Sequence, residues 1–135
     1  MELSKTIYFD SASRSLPYKE VEDVFTKVSH EFFANPSSIH FEGVKANRQL
    51  EKAKESIIKD INLSNRTVVF TSSATESNNL AIKGYALKYR NRGNHLVCSI
   101  YEHASVKEVM EQLKNDFGFK VSYVYPDKNG IISTE

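Results

Sequence analysis

Apolar residues recur along this chain with helical spacing up to about residue 61, and the pattern changes after it. Residues 17–33 open with Pro17, a residue favoured in the first helical turn. Val21, Val24, Phe25, Val28 and Phe32 follow at i, i+3, i+4, i+7 and i+11, which predicts an amphipathic helix. Asn35-Pro36-Ser37-Ser38 ends it, because the residue before a proline avoids the helical region. A longer helix is predicted after Gly43, with Ala46, Leu50, Ala53, Ile57 and Ile61 as its buried stripe. Lys45, Arg48, Glu51, Lys52 and Glu55 fall on its wet side.

From residue 66 onward, short apolar runs alternate with helical spacing. Thr67-Val68-Val69-Phe70 is β-branched and aromatic, and predicts a strand over 66–71. A helix over 75–90 ends at Arg92-Gly93, and a strand covers 95–100. In the next helix, 104–116, Val106, Val109, Met110, Leu113 and Phe117 repeat the spacing and Gly118 supplies the C-cap. A strand over 119–125 closes the series. Two helices followed by β-α-β-α-β predict an α/β fold with mainly parallel strands. The chain has no repeat, low-complexity stretch or linker, so 1–135 reads as one segment: an arm and helices to 65, then βαβαβ over 66–135.

Composition narrows the partners. A net charge of +1, from 18 basic and 17 acidic residues, gives no electrostatic case for nucleic acid or an anionic membrane. No apolar run approaches transmembrane length and the first twenty residues lack a signal-type apolar core, so a cytoplasmic protein is expected. The single cysteine, Cys98, excludes an internal disulfide, and it lies inside an apolar strand, where a thiol behaves as a small hydrophobe. His30, His40, His95 and His103 are scattered without metal-ligand spacing. Tyr85, Tyr89, Tyr101, Tyr123 and Tyr125 fit packing better than base stacking.

The chemistry concentrates in Phe70-Thr71-Ser72-Ser73-Ala74-Thr75-Glu76. Small residues at a strand-to-helix turn let backbone N–H groups converge on an anion, aided by about half a positive charge at the helix N-terminus. Ser73-x-x-Glu76 also fits a capping box, and one cap leaves other N–H groups free. Asn35, Ser37, Ser38 and His40 form a polar cluster that a helix-stop turn explains.

Five stretches, in order, resemble the cysteine desulfurases, pyridoxal-phosphate enzymes of the aminotransferase class V type. They are Ile7-Tyr8-Phe9-Asp10, Asn35-Pro36-Ser37-Ser38-Ile39-His40 with Gly43, the Ser72–Glu76 loop, Glu102-His103-Ala104-Ser105-Val106, and Pro126-Asp127-Lys128-Asn129-Gly130. The resemblance implies the N-terminal part of the large domain of a fold-type-I transferase, with three mainly parallel strands and flanking helices. It makes pyridoxal 5'-phosphate the cofactor, Ser73, Ala74 and Thr75 the phosphate contacts, and His103 the residue that stacks on its ring and moves protons. The other reading of His103 is a polar residue on the surface at a helix N-terminus.

The sequence departs from the family where Ser73 replaces a common glycine and where Ser13-Arg14-Ser15 replaces Ala-Thr-Thr. Arg14 either binds a substrate carboxylate or sits in solvent. Family chains are nearly three times as long. Their cofactor-binding lysine, the aspartate at the pyridine nitrogen and the catalytic cysteine all lie beyond the matching third. The implied parent takes sulfur from L-cysteine as an enzyme-bound persulfide, passes it to a sulfur-acceptor protein for iron–sulfur or thio-cofactor assembly, and is a homodimer or higher oligomer. The 135-residue chain alone is expected to be inactive. The competing readings are a non-catalytic remnant that binds a partner or a phosphorylated small molecule, and a selenocysteine lyase or aminotransferase. Strand 66–71 is expected to lose its sheet neighbours, leaving the chain to oligomerise, to repack that strand against 95–100, or to need further residues.

Overall fold

Each predicted helix forms, and the end groups explain most of the boundaries. The computed structural model describes residues 7–133, which contain α1 (Lys19–Glu31), α2 (Phe41–Asp60), α3 (Ala74–Lys88), β1 (His95–Ser99), α4 (Ala104–Phe117) and β2 (Lys120–Val124). The chain divides into two compact units, Met1–Val68 and Val69–Glu135. Among the described residues no helix is long and apolar enough to cross a membrane.

In the first unit, Tyr18 opens α1 without a side-chain cap, and Pro17 lies just outside the helix. The α2 helix starts two residues before Gly43, because His40 is its N-cap and accepts the Gly43 N–H at 3.3 Å. Asn35 Oδ1 accepts from Ser37 N–H at 2.9 Å and the Asn35 carbonyl from Ser38 N–H at 3.0 Å. The Asn35–Gly43 cluster is therefore a folded turn. Gly43 is required there: a Cβ would overlap the Ser38 carbonyl oxygen and come within 2.9 Å of the Asn35 carbonyl. Gly43→Ala is expected to cost about 1–3 kcal/mol, as overpacking typically does. Thermal melts of the two forms would show it, and an unchanged melt would mean that the turn yields freely.

The stripes expected to be buried in this unit are largely bare. No α1 residue is buried, and Val21, Val24 and Phe25 are exposed, Phe25 at 72%. On α2 only Gly43 and Ala46 are buried, while Ile57 and Ile61 at the far end of the stripe stay exposed. Helical spacing reports an apolar face. Whether that face is covered depends on a partner.

In the second unit, β1 and β2 pair in parallel with His95 opposite Lys120 and Ser99 opposite Val124, joined through α4. A parallel pair needs such a crossover. Gly118, at φ +70°, ends α4, its N–H and that of Phe119 both meeting the Leu113 carbonyl. Ala86 of α3, Val109 and Leu113 of α4, and Phe119 form the core, with Ile82, Leu96 and Phe117 against it. At the rim, Tyr123 donates to Glu111 Oε1 at 2.7 Å. That bond, then partial burial and the carboxylate charge, push its phenol from 10 up to about 12. A raised acid stabilises the fold fully below pH 10 and loses that contribution as pH climbs toward 12. Tyrosinate absorbance should show one late-ionising group that disappears in Glu111→Ala.

One expectation fails. Residues 66–71 form no strand, and the sheet of the described residues has two strands rather than three. Nor do they repack against β1, which pairs with β2. Val69 and Phe70 are exposed. A β-branched run becomes a strand only when a neighbour accepts from its N–H groups and donates to its C=O groups.

Candidate functional site

The sequence places its chemistry where two helices begin. Ser73 is the N-cap of α3, its hydroxyl accepting the Glu76 N–H at 3.3 Å. The Glu76 carboxylate reaches back one residue further than a standard capping box, taking the N–H and the hydroxyl of Ser72, each at 2.7 Å. Those bonds hold the Glu76 carboxyl below the usual carboxylate range. Capping thus consumes the donors of Ser72 and the Glu76 N–H, and the first bond of the helix takes the Ser77 N–H to the Ser73 carbonyl at 3.0 Å. Among the described residues nothing accepts from the N–H of Ala74, the N–H of Thr75 or the Thr75 hydroxyl. The Ser73 oxygen accepts one bond and keeps its own hydrogen to donate. Four donors at the positive end of a 15-residue helix fit a phosphate group.

His103 follows the C-terminal end of β1, the edge at which open α/β sheets bind ligands. It is the N-cap of α4, with Nδ1 accepting the Ser105 N–H at 3.1 Å. Ser105 Oγ lies 2.9 Å from the same nitrogen and 2.8 Å from Asn78 Nδ2 on α3. The His103 ring is otherwise exposed, and Nε2 has no partner among the described residues.

A cavity of about 310 Å³ opens between the N-terminal halves of α3 and α4. Thr75 and Asn79 line one side, His103, Ser105 and Glu108 the other. It joins two of the residues singled out from sequence, Thr75 and His103. Ser73 and Ala74 lie just before Thr75 but outside its lining. Sequence reasoning missed Asn78 and Ser105, which lie 27 positions apart and carry no local signal of contact. Thr75 and the flat His103 imidazole on one hollow, with the Ser73 and Ala74 donors beside it, fit the chemistry of pyridoxal phosphate, which needs anion donors at one end and a ring partner at the other.

Two other residues singled out from the sequence do not line this cavity. Arg14, in the first unit, lines a separate hollow of about 670 Å³ with Pro17, Lys19 and Glu22. Cys98 on β1 is buried, and burial, then the Glu102 charge, push its thiol up. A thiol shifted that way is a poor nucleophile at neutral pH.

The sequence profile of the aminotransferase class-V family matches residues 7–135. The chain belongs to that family, a group of pyridoxal-phosphate-dependent enzymes. Among its relatives is cysteine desulfurase IscS 1 of Archaeoglobus fulgidus, 40% identical over 128 residues that cover 95% of this chain and 33% of the relative. A solved NifS-like protein superposes with a TM-score of 0.84 at 34% identity, over 94% of this chain and 34% of its own. SspA, solved in complex with cysteine, gives 0.78 at 37% identity over 95% and 37%. The fold is therefore part of a fold-type-I transferase. The chain spans about a third of the length of the curated relatives it matches.

Proposed function

We propose that this chain is the N-terminal part of a pyridoxal-phosphate-dependent cysteine desulfurase. Such an enzyme converts L-cysteine and an enzyme thiol into L-alanine and an enzyme persulfide. The observation that carries the reading is the meeting of Thr75 and His103 on one cavity, beside helix-end donors that capping leaves free. Bound there, pyridoxal phosphate would supply an electron sink for bond changes at the amino acid. Ser73, Ala74 and Thr75 hold its phosphate, and His103 stacks on its ring and handles a proton at Nε2.

The thiol that takes the sulfur is not Cys98, which is buried and hard to ionise. It comes, with the cofactor's lysine, from residues beyond this chain. A cytoplasmic homodimer that passes sulfur to an acceptor protein for iron–sulfur assembly completes the reading. The bare apolar faces of α1 and α2 support only its larger assembly, since they are surfaces that further protein would cover. The decisive experiment gives the full-length protein L-cysteine and measures alanine and sulfide with a reductant present. Alanine matched by sulfide is expected. Turnover of selenocysteine alone, or amino-group transfer without sulfide, would overturn the reading.

A further inference from the structure

Histidine is a poor choice for a helix cap. Serine, threonine, aspartate and asparagine serve better, so stability does not explain His103 at the start of α4. The surroundings of its Nδ1 do suggest a use. Ser105 is the buried polar residue among the described ones, and a buried hydroxyl is costly unless bonded. It is bonded on both sides. Asn78 Nδ2 is a donor only, so at 2.8 Å the Ser105 oxygen accepts from it. The Ser105 hydrogen then points to His103 Nδ1, 2.9 Å away. The Ser105 backbone N–H, also a donor only, meets the same nitrogen at 3.1 Å. Two hydrogens converge on Nδ1, which must keep its lone pair.

We propose that Asn78 and Ser105 form a positioning relay that sets which ring nitrogen of His103 carries hydrogen, leaving Nε2–H as its free edge. The relay joins α3, which carries the phosphate donors, to the N-terminus of α4, which carries the imidazole. It fixes the ring's tautomer and orientation before any ligand arrives, so a group bound in the cavity meets Nε2 in a defined state. Asn78 and Ser105 touch neither cofactor nor substrate in this account. They act through His103. The catalytic meaning of the relay rests on the desulfurase reading. Its existence does not.

The test is ring ¹⁵N–¹H correlation spectroscopy of the 135-residue chain, without cofactor, at about pH 9, where an ordinary imidazole is neutral. In the wild type, His103 should show an unprotonated, hydrogen-bonded Nδ1 and hydrogen on Nε2. Asn78→Asp keeps the side-chain shape but turns the donor into an acceptor. The Ser105 hydroxyl then donates to the carboxylate and offers its oxygen to Nδ1. The Nδ1–H fraction should rise about fivefold or more, the ratio expected when one ordinary hydrogen bond is reversed. On a Ser105→Ala background Asn78→Asp should have no further effect, because the link between them is gone.

A wild-type His103 that carries its hydrogen on Nδ1 would overturn the relay. So would an Asn78→Asp effect of the same size with and without Ser105, since the carboxylate would then act directly. Should Asn78→Asp fail to fold, Ser105→Ala alone decides: the Nδ1–H fraction must rise, and an unmoved tautomer refutes the proposal. An intact relay in a protein that never binds pyridoxal phosphate would refute the desulfurase reading and leave the relay standing.

Discussion

Replacing His103 by asparagine in the full-length protein is expected to lower turnover of L-cysteine about a hundred- to ten-thousandfold, the usual cost of losing a positioned acid–base group. Asparagine is the informative substitute because His103 does two jobs. It caps α4 through Nδ1 and lines the cavity. Asparagine caps at least as well, so His103→Asn should keep the stability of α4. His103→Ala should lose about the same activity and a further 0.5–2 kcal/mol or so of stability through the missing cap. Steady-state kinetics and denaturant midpoints on both variants separate the two jobs. Wild-type turnover in His103→Asn would leave His103 as a helix cap and nothing more.

The second large effect concerns the core. Leu113→Ala should cost the second unit about 2–5 kcal/mol, the range for truncating a fully buried leucine. Leu113 is 0% exposed and Val109 is 2% exposed, and few other side chains are buried at all. A domain of this size has only about 5–15 kcal/mol of stability to lose, so the residues around β1 and β2 should melt far earlier. Phe25→Ala is the control. It removes a larger side chain, but one that is 72% exposed, so the change should stay within about 0.5 kcal/mol. Urea titrations followed by circular dichroism would check both. Equal shifts would mean that burial, as described, does not govern stability here.

Local patterns in the sequence carried much of this structure. Spacing of apolar residues placed α1, α2 and α4 within a few residues, the turn before Ala74 and Arg92-Gly93 bracketed α3, and Gly118 marked the end of α4 because only a left-handed residue closes that turn. Ser73 and Glu76 were legible as a cap for the same reason: the partners lie within one helical turn. What failed needed a distant partner. Thr67–Phe70 looks like a strand but has no ladder, and the apolar face of α1 looks like core but has no cover. The Asn78–Ser105–His103 bonds failed differently. His103 stood out by itself, but Asn78 and Ser105 carry no local signal, and only the packing of α3 on α4 joins Asn78 to the other two. Part of the candidate site was thus readable one residue at a time, while the arrangement around it was not.

If Ala74, Thr75 and His103 form one half of a pyridoxal-phosphate site, the 135-residue chain should respond to the cofactor at those residues. Amide and ring chemical shifts of the 135-residue chain, followed while pyridoxal phosphate is added, test it most directly, with phosphate-free pyridoxal as the control. Shifts should concentrate at the Ala74 and Thr75 amides and the His103 ring, with none of comparable size there for pyridoxal. Equal responses to the two compounds, or shifts scattered over surface lysines with Ala74 and Thr75 unmoved, would contradict it.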